Sequence, residues 1–187
     1  MKRLLFACLC VLLTACGDVE QQYSLNYPVS FTFNTTLHPT SLLTRLRKNS
    51  NAFVIVEAVN RQGAWRLQLT SNNGEQESLL LSTDRENNSV RALGADNSLI
   101  LGCIFAATGT DNPYLYVAYD RQCRYCLDNG TSTSAPLTFA ANGQSVTCAK
   151  CNRTYSLNIG ASADGYRLYT YHAVYNTANG LLSVTNK

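Results

Sequence analysis

Tyr114-Leu-Tyr-Val-Ala-Tyr-Asp-Arg-Gln-Cys123-Arg-Tyr-Cys126 and Leu137-Thr-Phe-Ala-Ala-Asn-Gly-Gln-Ser-Val-Thr-Cys148-Ala-Lys-Cys151 decide the reading of this chain. Each is a β-prone run that ends in a Cys-x-x-Cys pair, and 21 residues separate the two pairs. Four thiols in that pattern suit one four-coordinate site. Two short knuckles each supply two sulfurs, and the segment between them folds back to bring the pairs together. Cys123, Cys126, Cys148 and Cys151 are therefore the candidate metal ligands. Asn129-Gly130 and Thr131–Ser134 keep the intervening chain turning, and Asn142-Gly143 makes a hairpin of the second run. Both pairs fall at strand ends, where loops can converge on an ion.

Outward from this segment the same β pattern recurs. Val29–Asn34 alternates apolar and polar residues, as a half-buried strand does. Ala52–Val59 is a continuous β-rich run, and Trp65–Thr70 alternates strictly. Asn72-Asn73-Gly74 turns the chain toward a strand at Ser78–Ser82. Leu99–Phe105, Gln144–Thr147, Tyr166–Tyr175 and Leu181–Val184 complete the set, the last after an Asn179-Gly180 turn. Only Leu42–Lys48 has a helical flavour. Short strands with Gly, Asn and Asp turns, and no long helical periodicity, predict an all-β sandwich or barrel. The cysteine segment is expected to form a small metal-binding subdomain of zinc-ribbon or rubredoxin type. Composition is that of a folded domain: 45% apolar, 14% charged and 10% aromatic. No internal repeat, low-complexity tract or interdomain linker interrupts it.

The first residues speak to location. Lys2 and Arg3 precede an apolar run from Leu4 to Leu13, and Leu13-Thr-Ala-Cys16 follows. A basic start, a brief apolar stretch and small residues before a cut read as a secretory signal, residues 1–15. The run is too short to span a bilayer, which takes about 20 residues. The Leu-Thr-Ala-Cys sequence resembles the bacterial lipobox, which implies cleavage before Cys16 and lipidation of its sulfur. Residues 16–26 then read as a lipidated polar tether. The implied place is the cell envelope, lipid-anchored and extracytoplasmic, with the membrane as a partner through Cys16. The formal charge of +3 includes Lys2 and Arg3, and no basic stripe appears, so nucleic acid is excluded as a partner.

Residues 114–160 resemble a Rieske-type domain. Val117-Ala-Tyr-Asp-Arg-Gln-Cys123 is similar to the strand leading into that family's first loop. Cys148-Ala-Lys-Cys151-Asn-Arg-Thr-Tyr155-Ser-Leu157-Asn-Ile-Gly160 is similar to its second loop and exit. The resemblance extends more thinly over 27–58 and 99–187. It implies a Rieske-like β domain at 27–187, a four-cysteine subdomain at 114–160 and inserted hairpins at 60–98. Both family histidines are replaced: Tyr125 stands at the first position, with Cys126 next to it, and Cys151 stands at the second. A Rieske [2Fe–2S] centre takes its raised potential from two histidines on one iron, and this chain has other ligands. Asn152 takes the place of the family's glycine and tolerates a left-handed turn. Tyr155 stands where the family's aromatic residue can hydrogen-bond a ligand sulfur. Asn152 and Tyr155 are thus the residues expected to support the ligands.

Four thiols at this spacing admit three occupants. Zn²⁺ in a closed tetrahedral site comes first, as a structural ion in a binding or scaffold protein. A single Fe, or a [2Fe–2S] cluster with all-cysteine ligation, would make an electron carrier with a redox partner in the envelope. Two disulfides are the third reading, since the compartment is oxidising. Metal stands ahead of disulfides because both pairs share one spacing and one setting. Arg124 and Lys150 lie beside the thiols and are expected to offset their charge. No catalytic residues are assigned: the chain has two histidines, His38 and His172, and no nucleophile elbow or phosphate loop. It reads as a non-enzyme, with electron transfer as the alternative. Cys103, in an apolar run, reads as a small core residue. Tyr166, Tyr169, Tyr171 and Tyr175 are expected to pack against the inserted hairpins.

Overall fold

The computed structural model describes residues 23–47, 50–81, 83–105 and 114–186. The signal segment 1–15 and Cys16 lie outside these residues. The protein is all-β. Strands β1 (Ser30–Asn34), β2 (Ala52–Arg61), β3 (Ala64–Ser71), β4 (Gln76–Leu80), β5 (Ser98–Phe105) and β6 (Tyr114–Asp120) precede the cysteine segment. That segment holds β7 (Leu137–Phe139), β8 (Ser145–Cys148), β9 (Thr154–Ser156) and β10 (Ala161–Ser162). β11 (Thr170–Asn176) and β12 (Leu181–Thr185) close the chain. Three short helices, α1 (Leu42–Leu46), α2 (Asp84–Ser89) and α3 (Arg124–Asp128), fill connections.

Two sheets organise these strands. Eight form an antiparallel sheet in the order β1-β12-β11-β6-β5-β2-β3-β4, which curls into a half-barrel. The other four form a small sheet, β10-β9-β8-β7. The small sheet is spliced between two neighbours of the large one. β6 leads out to it, and β11 returns to pair with β6 at Thr170↔Tyr119 and Tyr171↔Ala118.

Burial on both faces explains why the central strands read as continuous apolar runs rather than alternating ones. In β2, Val54, Val56 and Ala58 enter one core while Phe53 and Ile55 enter another. β5 divides likewise, with Leu99 and Leu101 on one side and Ile100 on the other. So does β6, with Ala118 opposite Val117 and Tyr119. The first core fills the half-barrel with Phe31, Phe33, Leu67, Leu69, Leu182 and Val184, and α1 adds Leu42, Leu43 and Leu46. The second core lies between the large and small sheets. It contains Leu137, Val146, Tyr155, Leu157 and Leu168 together with three of the paired cysteines.

The hairpins of residues 60–98 are part of the large sheet. β2, β3 and β4 pair in continuous register from Arg61↔Ala64 and Val54↔Ser71 to Thr70↔Gln76, forming one side of the large sheet. Their Leu67 and Leu69, with Val90 and Leu93, lie in its core. Hairpin spacing alone does not reveal whether a hairpin is peripheral; its partner β5 does, through Val54↔Leu101 and Val56↔Leu99. The sequence also leaves two helices unannounced. Thr83 caps α2 by accepting from the Glu86 N–H, and Glu86 accepts in turn from the Thr83 hydroxyl, a capping pair that makes so short a helix viable.

The candidate metal centre

The two cysteine pairs reach one point from two different local structures. Cys123 follows β6 by two residues, and its N–H donates to Ala135 O at 2.9 Å. The first pair is not in an open loop: α3 begins between its two members, with the Leu127 N–H donating to Cys123 O at 3.2 Å. Thr131 then holds Cys126 O through both its N–H and its hydroxyl, each at 3.1 Å. The second pair forms the tight turn between β8 and β9. Cys148 N–H donates to Arg153 O at 2.9 Å, and Asn152 N–H donates to Cys148 O at 2.8 Å. Closing this knuckle requires a left-handed residue after Cys151, and Asn152 has φ +57°. At the exit Gly160 has φ +63°, and a Cβ there would lie 2.6 Å from the Tyr119 ring. Tyr119 meanwhile donates its hydroxyl to Leu157 O.

The four sulfurs all lie within 4.8 Å of one another. Cys123 and Cys151 Sγ are 3.7 Å apart, and Cys126 and Cys148 Sγ are 3.8 Å apart. Four thiolates at about 2.3 Å from one ion form a tetrahedron with edges of about 3.8 Å. The chain thus positions its four cysteines to hold a metal ion. The described cysteines, Cys103 among them, are all free thiols. Cys123, Cys126 and Cys148 are sealed from solvent at 0, 1 and 0% exposure, and Cys151 is half-buried.

Tyr155 stands at the back of the site. It is fully buried, and its hydroxyl is hydrogen-bonded to Cys123 Sγ at 3.3 Å. Burial and this sulfur push the Tyr155 hydroxyl above its ordinary range, so it remains a donor. Burial pushes the Cys123 thiol up to about 12 and the Cys126 thiol up as well. Cys151 moves the other way. Burial opposes its thiolate, but the Arg153 backbone N–H and the Cys126, Cys123 and Cys148 sulfurs outweigh that cost and lower the value. Binding a divalent ion supplies the opposite charge that buried thiolates lack.

The cations sit differently from their sequence neighbourhood. Arg124 turns to Asp128 at 3.0 Å and covers the Tyr169 ring, and Lys150 bonds the Ser132 hydroxyl. The Arg153 guanidinium is ion-paired to Asp164 and lies 4.1 Å from the Tyr125 ring centroid. Sequence adjacency pointed to Arg124 and Lys150, whereas the group that reaches Cys151 is the Arg153 backbone N–H. The C-terminal tyrosines are packed, and Tyr171 shares the half-barrel core with Leu67, Leu69, Val90 and Leu93 of the 60–98 segment. Tyr171 donates to Asp120, Tyr169 to Asp128, Tyr166 meets Tyr125 edge-on, and Tyr175 tilts against Tyr116. Cys103 is fully buried on β5, and burial pushes its thiol up to about 11. His38 is bonded to Glu86 at 2.8 Å, and His172 meets Tyr23 edge-on, so both are packing residues remote from the sulfurs.

Asp120 and Gln122 fix the subdomain to the sheet. Asp120 is fully buried and accepts from Tyr171 Oη at 2.7 Å, Ala95 N–H at 2.8 Å and Gln122 N–H at 2.7 Å. Gln122 accepts from Ala135 N–H and donates to Asp96 at 3.1 Å. These bonds fix the chain direction directly before Cys123, which no local motif announces. Comparison with protein-family models, curated proteins and solved structures finds no match to this chain.

Proposed function

We propose that this is a lipid-anchored, extracytoplasmic protein whose small sheet binds one metal ion through Cys123, Cys126, Cys148 and Cys151. The ion is Zn²⁺, acting as a structural centre in a non-enzymatic binding or scaffold protein. The observation that carries this reading is the convergence of four sulfurs within 4.8 Å of one another, two pairs of them at 3.7 and 3.8 Å. Four thiolates fill the coordination of such an ion and leave no open position for catalysis. A [2Fe–2S] cluster would set two irons and their bridging sulfides between the ligand pairs, and so compact a set of sulfurs favours a single ion. The Rieske resemblance is part of the proposal. A cysteine-bearing sheet spliced between β6 and β11, with Tyr155 bonded to a ligand sulfur, supports it.

One observation favours a second reading. A hydroxyl donating to a ligand sulfur is a means of setting the potential of an iron–thiolate centre. A single iron on the same four cysteines would make the protein an electron carrier with an envelope redox partner. Elemental analysis and a visible spectrum of the chain purified without added metal decide between the two. One equivalent of zinc and no colour supports the structural centre. Iron with sulfur-to-metal bands establishes the carrier. Sulfurs linked as disulfides, with no metal bound, overturn both.

A further inference from the structure

The four sulfurs differ in one respect that bears on reactivity. Three are closed off, and Cys151 alone is partly exposed. A polar oxidant reaches a thiolate only where solvent does, and exposure with thiolate character governs which cysteine reacts. Cys123 Sγ stands 3.7 Å from Cys151 Sγ, while Cys126 and Cys148 face each other at 3.8 Å. A disulfide needs about 2.05 Å between sulfurs, so small side-chain rotations suffice to join Cys151 to Cys123.

We propose that Cys151 is an oxidation site for hydrogen peroxide and that Cys123 resolves it, ejecting the bound metal. The Cys151 thiolate attacks one peroxide oxygen. The O–O bond breaks, the leaving hydroxide takes a proton to become water, and Cys151 becomes a sulfenic acid. The Cys123 thiolate then attacks the Cys151 sulfur. An S–S bond forms, the S–O bond breaks, and the second hydroxide leaves as water after taking a proton. Two thiolates lose two electrons and peroxide is reduced to two waters. Only Cys126 and Cys148 remain as donors, and two thiolates do not retain an ion that four held. The proposal rests on the metal reading for the ejection of the ion; the sulfur chemistry stands on the geometry of the four cysteines.

The sequence makes the products separable. Trypsin cleaves after Arg121, Arg124, Lys150 and Arg153. Cys123 is then alone in Gln122-Cys-Arg124 and Cys151 alone in Cys151-Asn-Arg153, whereas Cys126 and Cys148 share Tyr125–Lys150. The experiment loads the full chain with zinc, measures zinc uptake, adds one equivalent of hydrogen peroxide, and maps the non-reduced digest by mass while a colorimetric chelator follows free zinc. The expected result is the two tripeptides joined to each other, zinc released in step, and Cys103 still reduced. A link from either tripeptide to Tyr125–Lys150, or zinc loss with both tripeptides unoxidised, overturns the proposal. Retention of zinc by the linked form also overturns it. In Cys151→Ser, Gln122–Arg124 should stay unlinked at the same dose, and its linkage at the wild-type rate counts against Cys151 as the first sulfur to react. Zinc uptake before peroxide tests the metal reading separately. A chain that takes up no zinc but still joins the tripeptides sinks that reading and the ejection, and leaves the Cys151–Cys123 chemistry standing.

Discussion

At the residue scale the site depends on two side chains besides its ligands. Asn152 occupies a left-handed conformation at φ +57°, which costs most residues roughly 1–2 kcal/mol. Asn152→Ala should lower the stability of the metal-loaded protein by about that amount, and Asn152→Gly should recover it, since glycine enters this region freely. Thermal melts of the two variants check this, and equal melting temperatures would separate the knuckle from its backbone requirement. Tyr155 is hydrogen-bonded to a buried sulfur at 3.3 Å, and a metal-bound thiolate there would accept from its hydroxyl. Removing one hydrogen bond to a charged group costs roughly 1.5–3 kcal/mol. Tyr155→Phe is expected to keep its metal while losing unfolding free energy in that range, measured by urea titration of the loaded protein. Both positions were legible in the sequence, Asn152 through its tolerance of the turn and Tyr155 through its place after the second pair. Arg153 was not, because only the folded turn brings its backbone N–H to Cys151.

At the scale of elements, the junction between β6 and the first knuckle carries a buried charge. Burial raises the Asp120 carboxyl above the usual carboxylate range, against the bonds from Gln122, Ala95 and Tyr171. A raised native value means that the folded state holds the proton more tightly than the unfolded state. The resulting stabilisation is present below the unfolded value of about 4 and is lost as pH rises through the folded value. The urea midpoint of wild-type protein should therefore fall with rising pH across that window relative to Asp120→Asn. Parallel profiles would show that Asp120 titrates normally. The molecule also has two cores, and the sulfurs belong to the one between the sheets. Stripping the metal with a chelator is expected to remove amide protection from β7–β10 while β2, β3 and β5 keep theirs, as hydrogen exchange would show. Uniform loss across both sheets would mean that the centre and the half-barrel fold as one unit. β9 and β10 were invisible in the sequence, since strands of three and two residues have no period to read.

At the scale of the whole molecule, a half-barrel of eight strands carries a four-stranded sheet at the β6–β11 junction, and the sulfurs belong to the core between the two sheets. Among the described residues no helix is long and apolar enough to cross a membrane. The proposed attachment rests instead on Cys16. Expressed in a bacterial host, the full chain should partition into the detergent phase and Cys16→Ser into the aqueous phase. Equal partitioning would rule out the lipid anchor.

The sequence by itself determined that this protein is predominantly β and that four cysteines in two knuckles form a chemical constellation. Those features are local, because strand period, turn residues and Cys-x-x-Cys spacing act over a few residues. The tertiary structure alone decided that residues 60–98 belong to the large sheet. It also decided that Asp120 and Gln122 fix the cysteine subdomain in place, and that Cys151 is the least buried member of the four. These depend on strand pairing and burial between segments far apart in the chain, such as β2 with β5 and Asp120 with Tyr171. Contacts of that kind are set by which faces must leave water together, and a reading residue by residue does not contain them.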